Sequence, residues 1–325
     1  MAGNSPLVCA IVVNYNGAAV LGECLDALQQ QTYEPIQIMV VDNGSTDESV
    51  AILQNDYPRI TLIALDRNEG FTRAHNIALE QTLKQGPRAI AFVNTDAVCH
   101  PDWIRSVLSF MDRSGFDLVQ TLILEYENPD AIDSAGIGIS STLNIYDRHS
   151  GQPVRSIEGN TKIFGPCFAA AVFQPHVFHS LRDDRGYLDE RFGSFYEDVD
   201  FCFRAASKGY ASALLAEPLC RHRRSYTADR HPFKKYFYLG RNYFLLLAKH
   251  IPSMTLLRHS PGLMFERMAF WLRTLGHPRY FLGFTLGSIL GLARLIVHTL
   301  SGKGRTGKVL ATPELLQSIK KGDYA

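Results

Sequence analysis

The sequence predicts an α/β fold, a mostly parallel β-sheet with helices on both faces, followed by a basic helical region. Three observations carry this. The first hundred residues alternate short apolar runs with stretches of helical periodicity. Polar residues collect where the apolar runs end, and the balance of charge reverses toward the C-terminus.

Taken in order, "LVCAIVVNYN" reads as a buried strand, and "AVLGECLDALQQQ" carries apolar residues at helical spacing. "IQIMVVDN" is a second strand and "DESVAILQND" a second helix, and "ITLIALD", "TRAHNIALEQTLKQ" and "AIAFVNTD" repeat the alternation. Strands alternating with helices of this length imply βαβ units. From about Phe116 to Cys220 short strands and turns surround one distinctive run, "GSFYEDVDFCFRAASKGY". Its second half has helical spacing and places Glu197, Asp198 and Asp200 in the opening turn, where the helix dipole favours acids. After Tyr226 the chain is aromatic, basic and helical.

A chain of 325 residues that is 46% hydrophobic buries a sizeable core and is not disordered. The six cysteines stand singly, so neither a zinc site nor a disulfide framework is indicated, and a reducing cytosol is the expected compartment. The first apolar run lacks a basic lead and is short, which makes it a strand and not a signal peptide. From Arg221 to Lys308 there are 16 basic residues against two acids, leaving 17 basic against 30 acidic residues elsewhere, so the basic part is expected to face an anionic partner. No G-x-G-x-x-G follows the first strand and no G-x-x-x-x-G-K-[ST] exists, which removes the main support for dinucleotide redox and P-loop chemistry.

In parallel sheets ligands bind at the carboxyl ends of strands. Those ends carry Asn14 to Asn16, Asp42 and Asn43, Asp66 to Asn68, and Asn94 to Asp96. Asp42, in "VVDNGSTDES", suits either a turn or the imide N–H of a uracil or thymine ring. Asp96 has His100 and Pro101 between it and the next helix, so a capping role is weak and a divalent cation is a fitting partner. In "LDRNEGFTRAHN", Arg67 offers a phosphate or sugar contact. The three acids of "YEDVD" repel one another, a cost that either a solvated helix start or a reactive site accounts for. His222 stands alone in the electropositive "CRHRRS" and on its own reads as a solvated surface histidine.

"NYNG", "VVDNGSTDES", "RNEGFTRAHN", "NTDA", "GPCFAA", "YEDVDFCFRAASKGY", His222 and "GRNYFLLL", in that order over residues 7 to 247, resemble the non-processive inverting glycosyltransferases of family 2, in their rhamnosyltransferase-like branch. The resemblance implies a GT-A-like catalytic domain over 1–225, with a nucleotide-sugar half to about residue 100 and an acceptor half over 101–225. It also implies that Asn14, Asp42, Arg67 and Asn94 seat the donor, and that Asp96 binds a divalent cation, Mg²⁺ or Mn²⁺, with His222 as a second metal or diphosphate contact. Asp198 is then the catalytic base, with Glu197, Asp200 and Gly165 on the acceptor side or its loop. Three residues depart from the family's pattern: Asn94 replaces the first acid of the D-x-D motif, Pro166 stands where small residues are commoner, and Arg223 and Arg224 follow His222. Those two arginines can supply charge neutralisation otherwise left to a metal.

The implied reaction moves one sugar, rhamnose from a dTDP-linked donor or galactose or glucose from a UDP-linked one, to a lipid-linked or glycan acceptor of the cell envelope. A processive synthase is disfavoured because no Q-x-x-R-W run exists, and a nucleotidyltransferase because the first strand lacks a glycine-rich basic loop. A catalytically inactive nucleotide-sugar-binding scaffold is the remaining alternative, and no nucleic-acid partner is expected. In the region 226–325, the run from Phe281 to Leu300 is 20 residues long, but it contains Arg294 and a stripe of Gly283, Gly287 and Gly291. It fits a helix lying in the membrane interface, a span or re-entrant hairpin, or a soluble bundle, with the first preferred. The expected location is cytoplasmic, on the inner face of the plasma membrane, against anionic lipid.

Overall fold

A computed structural model describes residues 5–224, 226, 228–300 and 311–324. Its N-terminal half follows the expected alternation: β1 (Val8–Asn14), α1 (Ala18–Gln29), β2 (Ile36–Asp42), α2 (Ser49–Asp56), β3 (Thr61–Ala64), α3 (Phe71–Thr82) and β4 (Ala89–Asn94). β1 is buried along its whole length because both faces of the sheet are covered. Val8, Ala10 and Val12 pack with Leu21, Leu25 and Trp103 on one side. Ile11 and Val13 point the other way and pack with Ala74, Leu79 and Phe178.

A short β5 (Ala97–Cys99) and α4 (Trp103–Ser114) lead into β6 (Leu118–Glu125), β7 (Ile132–Ser134), β8 (Ile137–Ile139), β9 (Ile145–Asp147), β10 (Thr161–Ile163) and β11 (Ala170–Phe173). α5 (Pro175–Leu181), α6 (Glu197–Ser207) and β12 (Ser212–His222) follow. The main sheet has the order β10-β12-β6-β11-β4-β1-β2-β3. β4, β1, β2 and β3 are mutually parallel, and β11 is inserted antiparallel between β4 and β6. The parallel character therefore belongs to the first hundred residues, and the rest of the sheet is mixed. With β2 and β3 on one side of β1 and β4 on the other, the strand order reverses between β1 and β4, which opens a crevice at their carboxyl ends.

Beyond residue 225 come α7 (Pro232–His250), α8 (Ser253–Arg273), α9 (Pro278–Leu300) and α10 (Pro313–Lys321). α7 is part of the core: Tyr243, Leu246, Leu247 and Ile251, the last just past its end, join the same cluster as Val8 and Trp103, together with Leu315 and Ile319 of α10. α9 lies along α7 with almost no space between the backbones. A Cβ on Gly287 would come within 2.1 Å of the Phe237 carbonyl oxygen, and one on Gly283 within 2.4 Å of that of Phe233. The glycine stripe of α9 is thus a helix-packing surface inside this chain.

Candidate active site

At the crevice lies a cavity of about 370 Å³. Its walls come from the ends of β1 (Val13, Tyr15), β2 (Asn43) and β4 (Asn94 to Asp96), from the segment Cys167 to Ala169, from the start of α6, and from α7. Arg230 and His231, just ahead of α7, cover one side, where Arg230 Nη1 donates to the Asn16 carbonyl at 3.2 Å and the His231 ring sits 6.1 Å from that of Tyr15.

Strand register builds one wall. β12 pairs with β5 so that His222 faces Ala97, and with β6 so that His222 also faces Glu125, while β7 pairs with β6 on its other edge. This brings Asp96, His222 and Asp133 into one line: His222 Nε2 is 3.1 Å from Asp96 Oδ1, and His222 Nδ1 is 2.8 Å from Asp133 Oδ2. Burial alone would lower the His222 pKa, but the two carboxylates outweigh it and raise the value to about 10, so the ring is an imidazolium donating from both nitrogens. Burial would raise the pKa of Asp96, and its bond to His222 reverses that and holds the carboxyl below its ordinary value. Arg224 extends the row, with Nε 3.0 Å from Asp133 Oδ1 and a further ion pair to Asp147. Burial raises the Asp147 pKa, with Arg224 opposing.

The opposite element is the opening turn of α6. Phe195 and Tyr196 both have positive φ, 67° and 69°, in a left-handed conformation that costs about 1–2 kcal/mol per residue. α7 holds them there: the Asn242 amide reaches the carbonyls of Phe192, Ser194 and Phe195 at 2.8–2.9 Å, and Arg241 Nη2 donates to those of Arg191 and Phe192. The turn delivers Glu197 and Asp198 to the cavity. Burial raises the Asp198 pKa to about 7, against the Val199 N–H that donates to its Oδ1 at 2.8 Å. Burial also pushes Glu197 well above its ordinary value, the charge of Asp198 adds to it, and Glu197 Oε2 has no hydrogen-bond partner.

Other expected site residues stand elsewhere. Asp200, expected on the acceptor side, is fully buried away from the cavity, where its carboxylate meets Lys249 Nζ at 2.6 Å, His250 Nε2 at 2.8 Å and Arg204 Nε at 3.0 Å. Burial would raise its pKa, but Lys249 and Arg204 hold it well below the usual range. Two helix positions turn the side chain through about 200°, which accounts for the opposite fates of Asp198 and Asp200. Arg67 projects into solvent, 81% exposed and paired with Glu69 outside the cavity lining. Asn14 and Asp42 lie one layer below the cavity. Asp42 accepts from Asn14 Nδ2 at 2.7 Å and from the Ser45 N–H and hydroxyl at 2.9 and 2.6 Å, the turn-forming contacts, and so shapes the loop that presents Asn43. Gly165 sits behind the wall, where a Cβ would meet Cys202 Sγ at 2.1 Å.

The matched family model is glycosyl transferase family 2, over residues 9–181. The chain belongs to that family. Among relatives, an O-antigen chain rhamnosyltransferase of Salmonella typhimurium, RfbN, is 28% identical over 239 residues, 72% of this chain and 71% of that protein. The dTDP-rhamnosyl transferase RfbF of Shigella flexneri is 24% identical over 262 residues, 77% and 83% of the two chains. Among solved structures, S. aureus TarS (residues 1–349) superposes with a TM-score of 0.55 at 16% identity over 97% of this chain and 90% of that one. GalNAc-T7 with UDP, GalNAc and Mn²⁺ gives a TM-score of 0.55 at 13% identity over 68% and 44%. These structures establish the GT-A-like fold of this family 2 glycosyltransferase.

Among the described residues no three His, Cys, Asp or Glu side chains converge on one ion position. The donor set nevertheless fits a hard cation that takes its remaining ligands from phosphate. Asp96 Oδ1 and His222 Nε2 are 3.1 Å apart, close to the ~3 Å between adjacent ligands of a six-coordinate ion with bonds of ~2.1 Å, and Nε2 would give up its proton to ligate. Asp133 on Nδ1 is the kind of outer carboxylate that orients a ligating histidine. Neither Asp133 nor Asp147 was legible in the sequence. They come from a region without a motif, and only the pairing of β6 with β7 and β12 brings Asp133 to His222.

Proposed function

We propose that this glycosyltransferase moves a single sugar, with inversion, from a nucleotide-diphosphate donor to a hydroxyl of a lipid-linked or polysaccharide acceptor in envelope glycan synthesis. The observation that carries the proposal is Asp198, a carboxylate with a pKa near 7 on the same cavity as the Asp96–His222 pair. A base poised near neutrality takes a proton most effectively. The acceptor O–H loses its proton to Asp198, the acceptor oxygen bonds to the sugar's anomeric carbon, and the bond from that carbon to the diphosphate oxygen breaks. The nucleoside diphosphate leaves with the electron pair.

Inversion requires base and leaving group on opposite faces of the sugar, and α6 and β12 supply the two groups from separate elements. The leaving charge meets Lys234 and, while the site holds no ion, the His222 imidazolium; with Nε2 deprotonated, His222 and Asp96 would instead hold Mg²⁺ or Mn²⁺ beside the diphosphate. When bound, that ion supplies Lewis-acid stabilisation of the leaving group. Asn43 and Asn68, with Asp42 and Asn14 beneath them, line the side given to the nucleotide, and Arg67 lies at the edge of that loop. Glu197, buried beside Asp198 in the cavity wall, would face the acceptor. The dTDP-rhamnose assignment rests on the relatives' activities, and a UDP-linked hexose is the second reading. The expected location is the cytoplasmic side of the plasma membrane.

A thermal-shift panel of dTDP-, UDP- and GDP-sugars, each with and without Mn²⁺, on wild type and Asp96→Ala tests the proposal. A donor at 100-fold excess over its Kd stabilises the folded state by about 2.7 kcal/mol. A metal-dependent shift with one donor, absent in the variant, and turnover with that donor are expected. Binding without transfer to any lipid-linked or glycan acceptor would convert the enzyme reading into a binding scaffold.

A further inference from the structure

Most of the large apolar side chains that remain exposed in the described chain lie on α8 and α9. On α8 they include Met264, Phe265 and Leu272, and on α9 Leu282, Leu286 and Ile289, with Phe265 76% and Ile289 61% exposed. Positions 282, 286 and 289 form one helical stripe, as do 265, 268 and 272. The two helices are joined at Thr274–His277 and locked together by Trp271, whose Nε1 donates to Thr285 Oγ1 at 2.9 Å, and by the Phe270–Phe284 ring contact. They form a hairpin on which both helices expose an apolar stripe. Patches of this kind mark an interaction surface.

Charge identifies the partner. Arg258, Arg273, Arg279 and Arg294 are exposed on this hairpin, and its single acid is Glu266. A second copy would set arginine against arginine with almost no carboxylate to answer it. A sheet of anionic headgroups over hydrocarbon complements both the apolar face and its arginines.

Packing decides the mode. α9 is long and apolar enough to cross a bilayer, with a mean hydropathy of 1.7 over Pro278–Val297. Its glycine face, however, is pressed on α7. α7 in turn presents Lys234 and Tyr238 to the cavity and ties Arg241, Asn242 and Lys249 into the catalytic core. A spanning α9 would either carry these charged groups into hydrocarbon, each at a large cost in free energy, or strip its glycine face from α7. We infer that the α8–α9 hairpin lies flat in the headgroup region of an anionic leaflet, immersing only its outward face, and so holds the cavity within one helix diameter, about 10 Å, of the lipid surface. This inference does not depend on which sugar is transferred.

The chain contains two tryptophans, and Trp103 is buried in the catalytic core, so quenching by brominated lipid reads Trp271. The full-length protein is mixed with vesicles of phosphatidylcholine alone or with phosphatidylglycerol, carrying bromine at shallow or deep acyl positions. Expected are flotation with the anionic vesicles, stronger quenching by shallow than by deep bromine, and release at alkaline carbonate. Leu286→Asp with Ile289→Asp should lower the bound fraction roughly tenfold or more while the thermal shift with donor is kept, which separates loss of docking from loss of fold or donor site. Deep quenching with carbonate resistance would overturn the inference in favour of a span. Absence of flotation with a concentration-dependent dimer in sedimentation would overturn it in favour of a second copy.

Discussion

Asp198 and Asp200 sit two residues apart in the first turn of one helix, yet they occupy opposite electrostatic worlds. Asp198 faces the cavity with backbone donors, Val199 N–H first among them, and burial outweighs them and lifts its pKa to about 7. Asp200 faces the core, where Lys249, Arg204 and His250 keep it ionised. The difference teaches that an acid's role follows from what the fold brings to it. Desolvation without cations produces a carboxyl that titrates near neutrality, and desolvation with three cationic or donating partners produces one that stays ionised.

The largest effect that could break this comparison is on transfer. Asp198→Asn should lower kcat by about 10²–10⁴-fold with donor affinity retained, and an unchanged single-turnover rate would move the base elsewhere. Stability should respond in the opposite sense. The folded-state pKa of Asp198 lies above the ordinary carboxylate value, so its ionisation costs stability as pH rises toward 7. The asparagine variant should therefore match or exceed wild type in Tm at pH 8.

Asp200→Asn should do the reverse, leaving Lys249 and Arg204 under-compensated and lowering unfolding stability by about 3–5 kcal/mol. Denaturant titration reads this directly, and a loss below 1 kcal/mol would show that the cluster is not an anchor. Asp133→Asn extends the comparison to the other wall. Removing the carboxylate that orients His222 should weaken Mn²⁺-dependent nucleotide-diphosphate binding by about 10- to 100-fold by calorimetry, with metal-free binding changed far less. Equal losses with and without metal would make Asp133 a general structural residue.

The smallest expected effect is the pH profile. kcat/KM reports the free enzyme, so it should rise about tenfold per unit below pH 7 and level off above it as Asp198 ionises. A flat profile from pH 5.5 to 8 would remove Asp198 from the rate.

Much of the first hundred residues was legible because local signals and tertiary placement coincide there. The alternation of β1 to β4 with α1 to α3 follows from apolar periodicity, and the positions of Asn94 and Asp96 at a strand end follow from the parallel sheet. His222 looked like a surface histidine by itself, and the motif order was needed to single it out. Arg67 and Asp42 carried the right chemistry in the right loops, but the fold turns one to solvent and spends the other on its own turn. Asp133 lies 89 residues from His222 in sequence and 2.8 Å from it in space, a proximity no periodicity encodes.

By itself, then, the sequence determined the α/β class, the carboxyl-end crevice, the acids at the start of α6 and the basic, apolar character of the C-terminal helices, because each is written in spacing and composition. Only the tertiary structure decided which acid meets the cavity, which partners set its pKa, and that the glycines of α9 serve α7. Those outcomes depend on strand register and helix packing between residues far apart in the chain, where burial and neighbouring charge fix what a side chain can do.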